Sequence, residues 1–276
     1  MKLSIITINF NNRDGLRKTI ESVVNQTWQE FEYIIIDGGS TDGSVEVIKE
    51  YADRIDYWVS EPDKGIYDAM NKGIDQAKGE YCLFMNSGDC IYRPTTLEEV
   101  YTELNGTDII SGRTLTDIKE VKVSPIDISF SYLYQFSLCH QSILIRTEVM
   151  KSLKYDTSYS IISDWKFLYE ALILHNGSYK AISTLIAVYN TAGVSSVNIE
   201  QLKQEKIRLM TTLLPPRVLR DYDRYYNRAT KEELLYRILS QHKFHKMFYM
   251  LNLLPFKLLS LFSKRTKWVK GFPFKI

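Results

Sequence analysis

Residues 81–89 read Tyr-Cys-Leu-Phe-Met-Asn-Ser-Gly-Asp. Tyr81 to Met85 are aromatic or apolar and read as a short buried strand. Asn86, Ser87, Gly88 and Asp89 follow at once, all polar or turn-forming. A buried strand that ends in a carboxylate delivers that charge to the edge of a sheet, where open α/β folds bind ligands. Asp89 is therefore a candidate metal ligand. The alternative is a plain turn residue, since Asp is common in turns.

Upstream of this stretch the same pattern repeats. Leu3 to Phe10 is a β-branched run that reads as a first strand and leads into Asn9, Asn11 and Asn12. Leu16, Ile20, Val23 and Val24 then fall on one helical face. Tyr33 to Ile36 reads as a second strand ending at Asp37, in a loop whose glycines permit close backbone approach. Ile55 to Val59 reads as a third strand. Ile66, Met70, Ile74 and Ala77 keep a helical period, and Gly79 suits the helix end. Strand and helix thus alternate four times in the first 90 residues. That signals an α/β fold with a mostly parallel sheet flanked by helices. Three of the expected strands end in amides or carboxylates: Asn9, Asp37 and Asp89.

Downstream the alternation loosens. Leu97 to Leu104 reads as a helix, and Asp108–Ser111, Val121–Val123 and Ser142–Ile145 read as short strands. His140 and Gln141 lie just before the last of these. Ile162-Ser163-Asp164-Trp165 opens a helix running to Leu174, and Tyr179 to Tyr189 reads as an edge strand. From Ile199 the pattern is helical and charged, with a break at Pro215-Pro216.

The charge is unevenly spread. Residues 241–276 hold eight Lys or Arg and no Asp or Glu, while the rest carries 27 basic and 33 acidic side chains. An acidic body argues against nucleic acid as a partner, and a basic tail argues for an anionic one. Residues 247–262 are apolar nearly all round and are followed by Lys264, Arg265, Lys267 and Lys270 beside Trp268, Phe272 and Phe274. That describes an interfacial anchor on an anionic membrane surface, with packing on the catalytic domain or a homodimer interface as alternatives. No run is long and apolar enough to span a bilayer. Cys82, Cys90 and Cys139 form no Cys-x-x-Cys pair and fit a reduced compartment. Met-Lys-Leu-Ser-Ile-Ile runs straight into a strand and shows no signal-peptide pattern. The expected location is cytoplasmic, peripheral on the inner face of the cell membrane if the tail anchors there.

Several pieces, in order and at this spacing, carry a family resemblance. They are residues 4–11 (Ser-Ile-Ile-Thr-Ile-Asn-Phe-Asn), 35–44 (Ile-Ile-Asp-Gly-Gly-Ser-Thr-Asp-Gly-Ser), 63–73 (Asp-Lys-Gly-Ile-Tyr-Asp-Ala-Met-Asn-Lys-Gly), 77–81 (Ala-Lys-Gly-Glu-Tyr) and 86–89 (Asn-Ser-Gly-Asp). The chain resembles bacterial family-2 glycosyltransferases of the GT-A fold, especially the branch that builds colanic-acid-like capsular polysaccharides. The usual Asp-x-Asp of the family is here Asn86-Ser87-Gly88-Asp89, and the position that is Arg in many members is Met70.

The resemblance implies an inverting transfer of a sugar from a UDP-, GDP- or dTDP-linked donor to a saccharide hydroxyl, with a lipid-linked acceptor in surface polysaccharide synthesis. It implies Mg2+ or Mn2+ as cofactor, held by Asp89. Thr7, Asn9, Asp37, Lys64, Asn86 and Ser87 would bind the nucleotide sugar, with Lys64 supplying charge that Met70 does not. Asp164 would be the catalytic base, and an N-cap role is its alternative. His140 and Gln141 would contact acceptor or diphosphate, and a structural role is the alternative for the histidine. The domain organisation expected is a glycosyltransferase domain over 1–197, with a nucleotide-sugar half (1–112) and an acceptor half (113–197). A helical, basic extension over 198–276 follows. Two other readings compete. A sugar-phosphate nucleotidyltransferase would show a Gly-rich, Lys/Arg-bearing loop after the first strand, which here is Asn9-Phe10-Asn11-Asn12-Arg13. A non-catalytic nucleotide-sugar or membrane-binding partner would not need both Asp89 and Asp164.

Overall fold

The computed structural model describes residues 1–190 and 198–226. They form a nine-stranded sheet in the described residues, flanked by helices. The chain divides into two units, Met1–Leu209 and Met210–Ile276. The sheet lies in the first, and the basic tail expected to meet a membrane or a second copy lies outside the described residues.

The first half is four parallel strands: β1 (Leu3–Asn9), β2 (Phe31–Asp37), β3 (Tyr57–Ser60) and β4 (Tyr81–Phe84), in the order β3-β2-β1-β4. β1 is central and all seven of its residues are buried, as expected for a strand covered on both faces. Between the strands run α1 (Arg13–Val24), α2 (Ser44–Glu50) and α3 (Ile66–Gln76). α1 starts where Asn12 caps it, its side chain accepting from the Gly15 N–H at 3.2 Å. Its face of Leu16, Ile20, Val23 and Val24 packs with Ile5, Tyr33, Ile35 and Leu83 of the sheet. Burying each such side chain contributes about 1.5–3 kcal/mol. Gly79 precedes β4 so closely against β1 that a Cβ there would sit 2.6 Å from the Leu3 carbonyl carbon and the Ser4 nitrogen.

The second half is mixed. It comprises β5 (Cys90–Ile91), α4 (Thr96–Tyr101), β6 (Ile109–Thr116), β7 (Val121–Lys122), α5 (Phe130–Gln135), β8 (Ile143–Arg146) and α6 (Thr147–Leu153). α7 (Ser163–Tyr169) follows and continues into a π-helical turn at Glu170–Leu174; then come β9 (Tyr179–Tyr189) and α8 (Ile199–Leu213). β8 pairs antiparallel with β4 and β6, and β6 pairs parallel with β9. The expectation that Tyr179–Tyr189 is an edge strand is corrected. Cys90 and Ile91 pair with Val188 and Ala187, so β9 lies between β5 and β6. A two-residue strand is too short to leave a period-2 signature.

Register places the site. Asn9 pairs with Asp37 and Asp37 with Ser60, so the ends of β1, β2 and β3 line up along one edge. The loop after β4 leaves from the same edge, because Ile6 pairs with Phe84.

Candidate active site

At the first strand ends, Asp37 is fully buried and its carboxylate is closely bonded. Asn9 Nδ2 donates to Oδ1 at 2.7 Å, and Ser40 Oγ donates to the same oxygen at 2.6 Å. The Ser40 N–H donates to Oδ2 at 2.9 Å, and Ser60 Oγ donates to the same oxygen at 2.6 Å. Burial pushes the Asp37 pKa up, but the hydrogen bonds from Ser40, Ser60 and Asn9 outweigh it and hold it below the usual carboxylate value. Phe10, one residue past β1, exposes 65% of its surface beside this group. A Cβ on Gly38 would approach the Phe10 ring at 3.2 Å and Asp63 Oδ2 at 2.5 Å, so Gly38 leaves the space between them open.

The loop 86–89 is pinned to α1 through Thr19, whose hydroxyl accepts from the Gly88 N–H at 3.0 Å and donates to the Asp89 carbonyl at 2.7 Å. Gly88 has φ +104°, in the left-handed region that favours glycine. The turn drives Asp89 inward: the residue is buried, and Oδ1 accepts from the Asn190 N–H at 2.9 Å. Burial raises the Asp89 pKa above the usual value. The Asn190 N–H, the neighbouring His140 and the Gln141 side chain offset only part of that, and Asp117 adds to it.

A chain of polar contacts links this loop to α7. Asn86 Nδ2 lies 3.1 Å from His140 Nε2, and His140 Nδ1 lies 3.6 Å from Asp164 Oδ2. The other oxygen of Asp164 is 3.0 Å from the Tyr67 hydroxyl, which also donates to the Ile161 carbonyl at 2.6 Å. Asp164 is not the cap of α7; Ile162 occupies that position and offers no side-chain bond. His140 and Asp164 border a pocket lined also by Phe84, Ile145 and Phe167. Burial lowers the His140 pKa, and the carboxylates of Asp164 and Asp89 more than offset it, leaving it above the ordinary histidine value.

The fold therefore brings Asn86, Asp89, His140, Gln141 and Asp164 together from three separate segments of the chain. Ser87 stays on the loop, bonded through its hydroxyl to the Asn12 carbonyl at 3.2 Å. Two other expected residues lie elsewhere. Thr7 is fully buried, its hydroxyl 3.0 Å from the Tyr33 hydroxyl and donating to the Met85 carbonyl at 2.8 Å. Its alternating position on β1 turns it into the core between sheet and helix. Lys64 lines a separate groove at the start of α3 with Gly65, Tyr67, Thr157 and Ser160. Tyr67, Ser60 and Phe10 were not singled out by sequence. The only hint for Phe10 was an aromatic between two asparagines at a strand end.

The donor set suits a hard divalent cation. The buried Asp89 carboxylate carries charge that its neighbours only partly relieve, and the Asn86 Oδ1 is buried with no hydrogen-bond partner. Among the described residues no three His, Cys, Asp or Glu gather to hold a metal by themselves.

The profile of the family described as Glycosyl transferase family 2 matches residues 4–172. The chain is 31% identical over 204 residues to an uncharacterized glycosyltransferase of Mycobacterium tuberculosis, covering 70% of this chain and 77% of that protein. It is 26% identical over 218 residues to a PGL/p-HBAD biosynthesis glycosyltransferase of Mycobacterium bovis, covering 76% and 85%. Among solved structures it resembles S. aureus TarS 1-349 in complex with UDP, with TM-score 0.62, 19% identity and 77% of this chain covered. It spans 65% of that TarS chain. It also resembles mannosyltransferase PcManGT from Pyrobaculum calidifontis in complex with GDP-Man and Mn2+, with TM-score 0.55, 14% identity, and 98% and 88% covered.

Proposed function

The chain belongs to glycosyl transferase family 2, and from that membership we propose an inverting, metal-dependent transfer of a sugar from a nucleotide-diphosphate donor to a saccharide hydroxyl. The observation that carries this reading is the convergence of two carboxylates, Asp89 and Asp164, on His140.

The nucleoside sits over the aligned ends of β1 and β2. Phe10 offers an exposed ring on which a base can stack. Asn9 and Asp37 offer polar atoms to base or ribose, Asp37 by exchanging one of its four present partners. The diphosphate lies at the 86–89 loop, where Asp89 and Asn86 Oδ1 would hold Mg2+ or Mn2+ and Ser87 and Gln141 would flank the phosphates. A divalent cation bound there neutralises diphosphate charge and makes it a better leaving group. Asp164 takes the proton of the acceptor hydroxyl while that oxygen bonds to the anomeric carbon. The bond from that carbon to the diphosphate oxygen breaks, and its electron pair leaves with the diphosphate. One base and one displacement give inverted configuration. Tyr67 and His140 hold the two oxygens of Asp164 in place.

The similarity to a PGL/p-HBAD biosynthesis glycosyltransferase supports a lipid-linked acceptor in glycolipid or surface polysaccharide assembly. The basic, apolar tail over 241–276 gives such an acceptor a membrane surface to sit on. The donors to test first are UDP-GlcNAc and GDP-mannose, both bound by similar proteins, with a dTDP-sugar as the third. Thermal shift with and without Mn2+ is the measurement, because a correct donor stabilises the fold by mass action. A Mn2+-dependent shift that Asp89→Asn abolishes is the expected result. No shift with any donor, or one indifferent to Asp89, would sink the reading.

A further inference from the structure

Residues 158–162 lead into α7, whose first turn carries Asp164. Their backbone is held from outside. Glu205, on α8, is a buried carboxylate aimed at this segment. Its Oε1 accepts from the Ser160 N–H at 2.9 Å, and its Oε2 accepts from the N–H groups of Ile161 at 2.9 Å and Ile162 at 3.3 Å. Three successive backbone donors thus converge on one side chain. Burying a carboxylate is costly unless it is bonded in this way. Also from α8, Arg208 donates to the Ser158 carbonyl at 2.6 Å, and its guanidinium lies 3.9 Å from the centre of the Tyr159 ring. From α3, Tyr67 takes the Ile161 carbonyl at 2.6 Å while touching Asp164.

Local sequence does not supply this restraint. Ile162 is the cap residue of α7 and has no side chain with which to bond the helix start. The carboxylate that bonds the backbone leading into that start comes from a helix that lies beyond residues 4–172, the stretch matched by the family profile.

We propose that Glu205 and Arg208 of α8 are positioning residues for Asp164: they fix the 158–162 backbone so that the carboxylate is held for proton transfer without touching substrate. This rests on Asp164 being the base. Displacing a reacting group by about 1 Å can cost on the order of 100-fold in rate, so a loosened loop is expected to show in turnover before it shows in binding.

The test uses the full-length protein with Mn2+ and whichever of UDP-GlcNAc, GDP-mannose or a dTDP-sugar gives the largest thermal shift. Turnover is read as nucleoside diphosphate released when water is the acceptor. Glu205→Gln keeps the shape and removes one accepting oxygen. It is expected to lower kcat about tenfold or more while donor Kd stays within about twofold. Combined with Asp164→Asn it is expected to cause no further loss, because both act through one group. Equal fractional losses in the two backgrounds overturn the proposal, since Glu205 then acts on the fold generally. An unchanged kcat in Glu205→Gln beside a depressed one in Asp164→Asn overturns the proposal alone. An unchanged kcat in Asp164→Asn overturns the base assignment and this proposal with it. Should Glu205→Gln not fold, Arg208→Met frees the other end of the loop with Glu205 in place. The same fall in kcat at constant donor Kd is expected, and an unchanged kcat in folded Arg208→Met overturns the proposal.

Discussion

His140 Nδ1 lies 3.6 Å from Asp164 Oδ2, and the imidazole answers to a second carboxylate, Asp89. Burial lowers the His140 pKa and the two carboxylates raise it further than burial lowers it, so the folded value stands above that of an unfolded histidine. A raised histidine adds stability that is fully present below the unfolded value of about 6.5 and is lost as pH rises through the folded value. Wild-type protein is therefore expected to exceed His140→Gln in urea-unfolding stability by more at about pH 6 than at about pH 8.5. An advantage that grows with pH contradicts the arrangement.

Asp37 closes β2, Asp89 lies in the turn after β4, and both are buried, yet they are expected to respond to mutation with opposite sign. Burial pushes the Asp37 pKa up, but hydrogen bonds from Ser40, Ser60 and Asn9 depress it overall. Its contribution is present above the unfolded value of about 3.9 and is lost as pH falls through the folded one. Asp37→Asn turns a donor toward Ser40 or Ser60 and is expected to cost about 1–3 kcal/mol at neutral pH. Asp89 has a raised pKa because burial dominates, so its ionised form disfavours folding above the folded pKa, and that penalty fades as pH falls through it. Asp89→Asn keeps an oxygen for the Asn190 N–H and is expected to raise the Tm of the metal-free protein, by about 2–4 °C per kcal/mol relieved. The same substitution abolishes metal-dependent donor binding. Differential scanning fluorimetry in EDTA measures both variants, and a fall in Tm for Asp89→Asn refutes the assignment of unrelieved charge.

The parallel half of the fold was legible because each of its central strands is buried on both faces and each helix keeps one apolar stripe. Leu3–Asn9 and Phe31–Asp37 are examples. Asp37 and Asp89 stood out because each carboxylate closes an apolar run, whereas Asp164 stood out only through the family resemblance; the position of all three at one edge of the sheet or beside His140 comes from the fold. The side-chain directions were not legible. Thr7 looked like a site residue by its place near a strand end, but register turns it toward Tyr33. Tyr67 and Glu205 reach the 158–162 loop across 94 and 44 residues of sequence, a relation that no local period records. The family membership removes the nucleotidyltransferase alternative, which the absence of a Gly-rich first loop had already disfavoured.

Packing at Gly79 gives a prediction independent of chemistry. A Cβ there would press to 2.6 Å against the backbone of Leu3 and Ser4 in the central region of the sheet. Backbone in a paired strand cannot step aside as a flexible side chain can. Gly79→Ala is therefore expected to destabilise by about 1–3 kcal/mol or more, read as a lower urea midpoint with m unchanged. At Gly106 a Cβ would meet no atom within 4 Å, so the methyl has room, but φ is +92°. Gly106→Ala is thus expected to cost only local backbone strain, and a loss as large as that at Gly79 contradicts the packing argument.

Asp164→Asn separates base from ligand. Asp164 meets Tyr67 through one oxygen and His140 through the other, and it is His140 that carries the chain of contacts on to Asn86. An amide keeps the shape and still accepts from the Tyr67 hydroxyl, so the fold and the donor site are expected to persist. It cannot take a proton from an attacking hydroxyl. General-base catalysis contributes about 10²–10⁴-fold, and kcat is expected to fall within that range while donor Kd, measured by titration with Mn2+ present, stays near wild type. Asp89→Asn is expected to give the reverse order of effects, with donor binding lost first. If Asp164→Asn instead weakens the donor and leaves residual turnover per bound donor unchanged, the carboxylate serves the nucleotide, and the base must be sought at His140, the imidazole that shares its contact.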